Sequence, residues 1–185
     1  NTNTRYLYDE LLDYTERLLE LFPKALCRVF LVNSGSAATD LALRLSMAHT
    51  GRKKILALEN GYHGNTLACI GVSHYKHKKG ETHPNTILGP MPKVFGSGLP
   101  DDASAGDHFS AQYREALTQH PHEIAAFIAE PIMGCGGQVP LPTGFLPAVY
   151  KAVRAQGGIC ISDEVQVGFG RLGRWNWGYE MFGVV

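Results

Sequence analysis

The sequence predicts an α/β domain in three αβα layers around a largely parallel sheet, from two features of its patterning. Short unbroken apolar runs alternate with stretches of helical period, and no internal repeat interrupts them. Runs apolar at every position suit strands covered on both faces, the usual situation of parallel strands joined by helices. The length, 185 residues, is that of one ordinary domain with a single core.

Taken in order, Leu7, Leu11, Leu12, Tyr14, Leu18 and Leu19 recur every three or four residues, predicting an amphipathic helix from Tyr6 to Leu21, before Pro23. Cys27–Val32 is then a short apolar run and reads as a strand, broken by Asn33-Ser34-Gly35-Ser36. A second helix carries Leu41, Ala42, Leu45 and Ala48 on one side and stops at Gly51. Lys54–Leu58 repeats the strand signal, Gly61-Tyr62-His63-Gly64 forms the next loop, and a helix or turn leads to Ser73. Residues 76–107 are rich in Gly, Pro, His and Asp with weak periodicity, which predicts a long surface excursion. Gln112–Gln119 then reads as helix, Ile124–Ala129 as a buried strand, Gly134–Gly137 as a Gly-rich loop and Phe145–Gln156 as helix, with Ile159–Ile161 the last clear strand.

Composition narrows the function classes. Hydrophobic residues make up 44% and charged residues 18%, with 17 basic against 17 acidic side chains, a globular balance that points to no nucleic-acid partner. The short basic stretch Lys76–Lys79, with His77 inside it, reads as a solvated loop. No apolar run reaches membrane-spanning length, and no signal pattern opens the chain. Cys27, Cys69, Cys135 and Cys160 are scattered, without a CxxC pair or zinc spacing, so no metal site is expected and a reduced, cytoplasmic setting is. The chain opens without Met and closes in the apolar run Phe182-Gly183-Val184-Val185, so a fragment of a longer protein is expected.

In open parallel sheets ligands bind beyond the carboxyl ends of the strands. The loops after Val32, Leu58, Ala129 and Ser162 are therefore where chemistry is sought. Ser34-Gly35-Ser36 opens a helix, so free N–H groups and the positive end of the helix dipole make a phosphate seat; a plain helix cap explains the same residues equally well. Tyr62 and His63 stand between glycines and could present an aromatic face to a planar ring, although by themselves they read as a turn covering the edge of the core. Glu130 follows one strand and Asp163 another. Two carboxylates facing a phosphate seat and an aromatic shelf suggest a cationic heterocycle that carries a phosphate.

With these residues in order, the chain resembles the class III aminotransferases. The resemblance rests on Asn33-Ser34-Gly35-Ser36, Tyr62-His63-Gly64, Glu130-Pro131 and Asp163-Glu164-Val165-Gln166-Val167-Gly168-Phe169-Gly170-Arg171, and spans nearly the whole chain. Asn3–Asp9 and Cys135-Gly136-Gly137-Gln138 look similar to the branch holding alanine–glyoxylate aminotransferases and ethanolamine-phosphate phospho-lyases. It implies that residues 1–185 are part of the large domain of a fold-type I enzyme with pyridoxal 5'-phosphate as cofactor, the small C-terminal domain lying outside the chain. It further implies that Gly35 and Ser36 hold the cofactor phosphate, Tyr62 stacks on the ring, Asp163 pairs with the ring nitrogen and Gln166 lies near the ring's 3-oxygen. Glu130 would orient the site or touch substrate, and His63 would be loop structure with a supporting role.

Ala37 stands where the family usually has Glu. The family's Schiff-base lysine falls after Val185, so no catalytic residue is expected within the chain, which should not transaminate alone. The activity implied is amino transfer between an amine or amino acid and a 2-oxo acid or aldehyde, by a homodimer. A phospho-lyase acting on an amino-alcohol phosphate shares the motifs, and a non-catalytic interaction domain is the remaining alternative.

Overall fold

The computed structural model describes residues 6, 8–78, 81 and 83–184. They fall into two units, one drawn from the chain up to Val32 and the other formed by Asn33–Val184. Of the similarity carried by Asn3–Asp9, residues 3–5 and 7 lie outside the described residues.

The first unit contains α1 (Asp9–Glu20), whose ends complement the helix dipole, with Asp9 and Glu10 in the first turn and Arg17 in the last. The strand expected at Cys27–Val32 is absent. Phe30, Leu31 and Val32 are 61%, 50% and 45% exposed. An apolar run becomes a strand only where neighbouring strands complete its hydrogen bonds, and this one belongs to no sheet among the described residues.

The second unit opens with α2 (Gly35–Thr50), where the Ser34 hydroxyl caps the start and Gly51, with φ of 69°, ends the helix in the left-handed region. There follow β1 (Lys54–Leu58), the short α3 (Leu67–Val72), a 3₁₀ turn at His74–Lys76 and β2 (Thr86–Gly89). Next come α4 (Ala103–Gln119), capped by Asp102, and β3 (Ile124–Ala129). A small antiparallel hairpin of β4 (Ile132–Met133) and β5 (Val139–Pro140) precedes α5 (Phe145–Ala155) and β6 (Ile159–Ser162), and a second 3₁₀ turn covers Gly178–Phe182.

The main sheet has four parallel strands in the order β2-β1-β3-β6. Helices cover both faces. On one, Ile55, Ala57, Ala126 and Ile128 pack with Leu43 of α2 and Val72 of α3. On the other, Phe127 meets Tyr113 of α4 and Tyr150 of α5 edge-on, at ring-centroid distances of 5.9 and 6.0 Å. Every residue of β3 is buried, as its unbroken apolar sequence requires. At the amino end of β3, the Arg52 guanidinium donates to the carbonyls of Ile124 and Gln156, at 3.1 and 2.8 Å, tying the start of β3 to the end of α5.

The stretch 76–107, expected as a surface excursion, supplies β2 and the first turn of α4, and β2 is an edge strand paired with β1. Its apolar content is only Ile87-Leu88 between polar and Gly/Pro residues, too short for a periodic signal. Likewise the helix expected from Gln112 begins at Ala103, since its first half is small and polar apart from Phe109 and so carries no apolar period.

Candidate active site

Strand order fixes where the site can be. The chain passes from β1 to β2 on one side and returns to β3 on the other, so the sheet reverses its winding between β1 and β3. A crevice opens beyond the strand ends at such a reversal. The loops after Leu58, Ala129 and Ser162 meet there, joined by the start of α2. Only three of the four approaches are strand ends, because the segment before Asn33 is not a strand.

Glu130, directly after β3, bridges the reversal. One carboxylate oxygen accepts the Tyr62 N–H at 3.3 Å and the other the Gly134 N–H at 3.2 Å, so one side chain holds the β1 loop and the hairpin loop together. Burial pushes its carboxyl above the ordinary range, against the opposing pull of His63 and the Tyr62 N–H.

Asp163, after β6, is 9% exposed. Its Oδ2 lies 2.8 Å from His63 Nδ1, and its Oδ1 accepts the Val165 N–H at 3.2 Å. A carboxylate only accepts, so His63 carries its proton on Nδ1. The His63 backbone N–H donates to the Ser73 hydroxyl at 2.8 Å, and that hydroxyl donates to the Cys69 carbonyl at 2.6 Å. The aspartate is thereby fixed through a buried histidine that is itself fixed to the end of α3.

Opposite these acids stands the start of α2. Ser34 uses its hydroxyl on the Ala37 N–H and its carbonyl on the Ala38 N–H, while the N–H groups of Gly35 and Ser36 have no protein partner among the described residues. The Ser36 hydroxyl accepts the Asn65 N–H at 3.0 Å. Gly64 has φ of 119°, and a Cβ there would lie 2.6 Å from Ser36 Oγ, so only glycine lets the β1 loop close onto the helix start. Gly134 similarly has no room for a Cβ, because the Gln166 side chain occupies that space.

Gly35, Ser36, Tyr62, His63, Glu130, Asp163 and Gln166, the residues singled out in the sequence, all line one cavity of about 200 Å³. Ser34, Gly64, Ile132 and Val165 complete its wall. Sequence reasoning passed over Val165 and Ile132; Val165, between Asp163 and Gln166, was within reach as the residue alternating with two site positions. It also missed Ser73, which carries no local signal and matters only because α3 brings it under His63. At Ala37 the backbone N–H is already satisfied by Ser34, so the helix start closes without the usual Glu.

Comparisons with known proteins bear on the fold and the family. An alanine–glyoxylate aminotransferase 2-like protein of Drosophila melanogaster is 41% identical over the whole of this chain and 40% of its own length. The mitochondrial alanine–glyoxylate aminotransferase 2 of Homo sapiens is 36% identical, again over the whole chain and 40% of its own length. Among solved structures, a phospholyase from Arthrobacter in complex with phosphoethanolamine superposes with a TM-score of 0.89 at 37% identity, covering 100% of this chain and 44% of that one. The fold is thus that of the fold-type I pyridoxal-phosphate transferases, and the chain spans about two-fifths of the length of the curated relatives it matches. The cytoplasmic setting inferred from the cysteines is overturned by the mitochondrial human relative, since reduced thiols mark a redox state and not a compartment. A family model described as aminotransferase class-III matches residues 2–185, and the chain belongs to that family.

Proposed function

We propose that the protein transfers an amino group between an amine or amino acid and a 2-oxo acid or aldehyde, with pyridoxal 5'-phosphate as cofactor and as a homodimer. One observation carries the reading: a buried, doubly held Asp163 faces the unpartnered N–H groups of Gly35 and Ser36 across a single cavity. Those residues fit the cofactor, because the free N–H groups at a helix start suit a phosphate and a fixed carboxylate suits a protonated ring nitrogen. When bound, the cofactor supplies an electron sink for the pair released at the substrate carbon.

The chain's own residues set that chemistry up. Gly35 and Ser36 bind the phosphate, and Tyr62 covers one side of the ring. Asp163 keeps the proton on the ring nitrogen, and His63 holds Asp163 in the orientation this requires. Gln166, packed against Gly134, would lie near the ring's 3-oxygen. Glu130 fixes the loops that carry Tyr62 and Gly134 and keeps both its oxygens on backbone N–H groups, which supports an orienting role. No lysine lines the cavity among the described residues, so proton transfer at the substrate carbon is assigned to a lysine from elsewhere in the full-length protein.

The test is to titrate the full-length protein with pyridoxal phosphate, follow the absorbance of the bound cofactor, and then measure amino transfer. Failure to take up cofactor, or undiminished turnover by Asp163→Asn, would sink the reading. A second reading, elimination of phosphate from an amino-alcohol phosphate, is favoured by the similarity to the Arthrobacter phospholyase. Phosphate release from phosphoethanolamine without amino transfer would establish it.

A further inference from the structure

Among its described residues the cavity is lined by two carboxylates, Glu130 and Asp163, and by no lysine or arginine. A cation lies outside that lining, against one of its side chains. Lys76 Nζ lies 5.5 Å from the centre of the Tyr62 ring, itself part of the lining, and 5.6 Å from that of Tyr75. The two tyrosines meet edge-on at 6.3 Å, so the ammonium is shared between them.

The turn that bears Lys76 is fastened to the site. The Lys76 N–H donates to the Ser73 carbonyl at 2.8 Å and the Tyr75 N–H to the Gly61 carbonyl at 3.1 Å. Ser73 is also the residue whose hydroxyl receives the His63 N–H. The position of the ammonium is therefore tied to the Gly61–Gly64 loop at both of its ends. Among the described residues no carboxylate pairs with Lys76, and its three N–H donors make no hydrogen bond. A lysine held by aromatic faces keeps its donors available to a ligand.

We infer that Lys76 is a specificity residue of the proposed reaction, its ammonium receiving the anionic group, carboxylate or phosphate, of an amine substrate whose amino end enters the cavity. This rests on the amino-transfer reading for the identity of the ligand's other end. The basic stretch that reads as a solvated loop in the sequence then has one member with a task.

The experiment uses full-length protein loaded with cofactor and unreactive analogues that lack the amino group: a short alkyl carboxylate, an alkyl phosphonate and a neutral alcohol of the same length. Dissociation constants are measured by calorimetry for the wild type, Lys76→Gln and Lys76→Arg. The wild type binds at least one of the anionic analogues about tenfold more tightly than the alcohol, Lys76→Gln loses that gap, and Lys76→Arg keeps it. A carboxylate gap alone identifies amino-acid-like substrates, and a phosphonate gap alone identifies amino-alcohol phosphates. A gap that persists in Lys76→Gln, or is absent from the wild type, overturns the inference and leaves Lys76 as packing on Tyr62. Cofactor absorbance is read in the same samples. If no cofactor is taken up, the amino-transfer reading falls separately, while the wild-type to Lys76→Gln comparison still decides the anion site on the protein as isolated.

Discussion

At one end of the cavity Asp163 and Glu130 are held by hydrogen bonds, to His63 and to the N–H groups of Val165, Tyr62 and Gly134. At the other, Gly64 closes onto Ser36 with no room for a Cβ, its nearest neighbour being the Ser36 hydroxyl oxygen, which also accepts the Asn65 N–H. The acid end thus depends on the chemical identity of its groups, and the helix end on their smallness. Conservative substitutions should therefore fail at the first end for electrostatic reasons and at the second for steric ones.

The largest effect is expected from Asp163→Asn, which keeps the shape and removes the charge. Turnover of the full-length enzyme should fall about 100-fold or more, by analogy with loss of a preorganised electrostatic contact, with thermal stability changed far less. Steady-state rates beside a melting curve make the comparison, and a parallel loss of both would show the residue to be structural.

Gly64→Ala comes next. Its Cβ would meet Ser36 at 2.6 Å with φ at 119°, so a cost of about 2–3 kcal/mol in unfolding free energy is expected, together with weaker cofactor binding. Gly51→Ala is the control, with φ of 69° but nothing within 4 Å of the added carbon, and should cost about 1 kcal/mol with cofactor affinity intact. Equal effects at the two positions would remove the steric account of the helix end.

Glu130→Gln turns one accepting oxygen into a donor facing a backbone N–H, for a cost of about 1–3 kcal/mol by denaturant unfolding at low pH. Burial raises the proton affinity of Glu130 in the folded protein above the ordinary 4.5. The folded state then binds more protons than the unfolded one between 4.5 and the raised value, so the wild type loses stability as pH rises through that window. Glutamine does not titrate, and its deficit against the wild type should shrink over the same window. The smallest effect is expected from Ser36→Ala, which removes the acceptor of the Asn65 N–H and should cost about 1 kcal/mol, with up to about tenfold weaker cofactor binding in a titration.

How far the sequence could be read varied with the kind of interaction involved. Lys54–Leu58 and Ile124–Ala129 were legible because central strands of a covered sheet must be apolar throughout, and the edge strand Ile159–Ser162 because it opens on the apolar run Ile159–Ile161. Cys27–Val32 has the same local pattern and is not a strand, since pairing depends on neighbours that a local run does not specify. Thr86–Gly89 is the converse, an edge strand with only Ile87 and Leu88 apolar, recruited by β1. Motif residues of the cavity could be named in advance because each sits at an element boundary or in the loop that follows a strand. The support beneath them could not: Ser73 under His63, and the turn that swings Lys76 over Tyr62, arise from contacts between segments that carry no shared local pattern.

The fate of the four free thiols has a practical side. Burial pushes the Cys160 thiol up to about 12, and Cys69 has no exposed surface and donates to the Ser36 carbonyl beneath the helix start. Cys27, by contrast, is exposed, lies in the first unit and is not among the residues that line the cavity. A maleimide dye added at neutral pH should consequently mark Cys27 first, giving a fluorescent handle on the leading segment while the floor of the cavity stays chemically untouched.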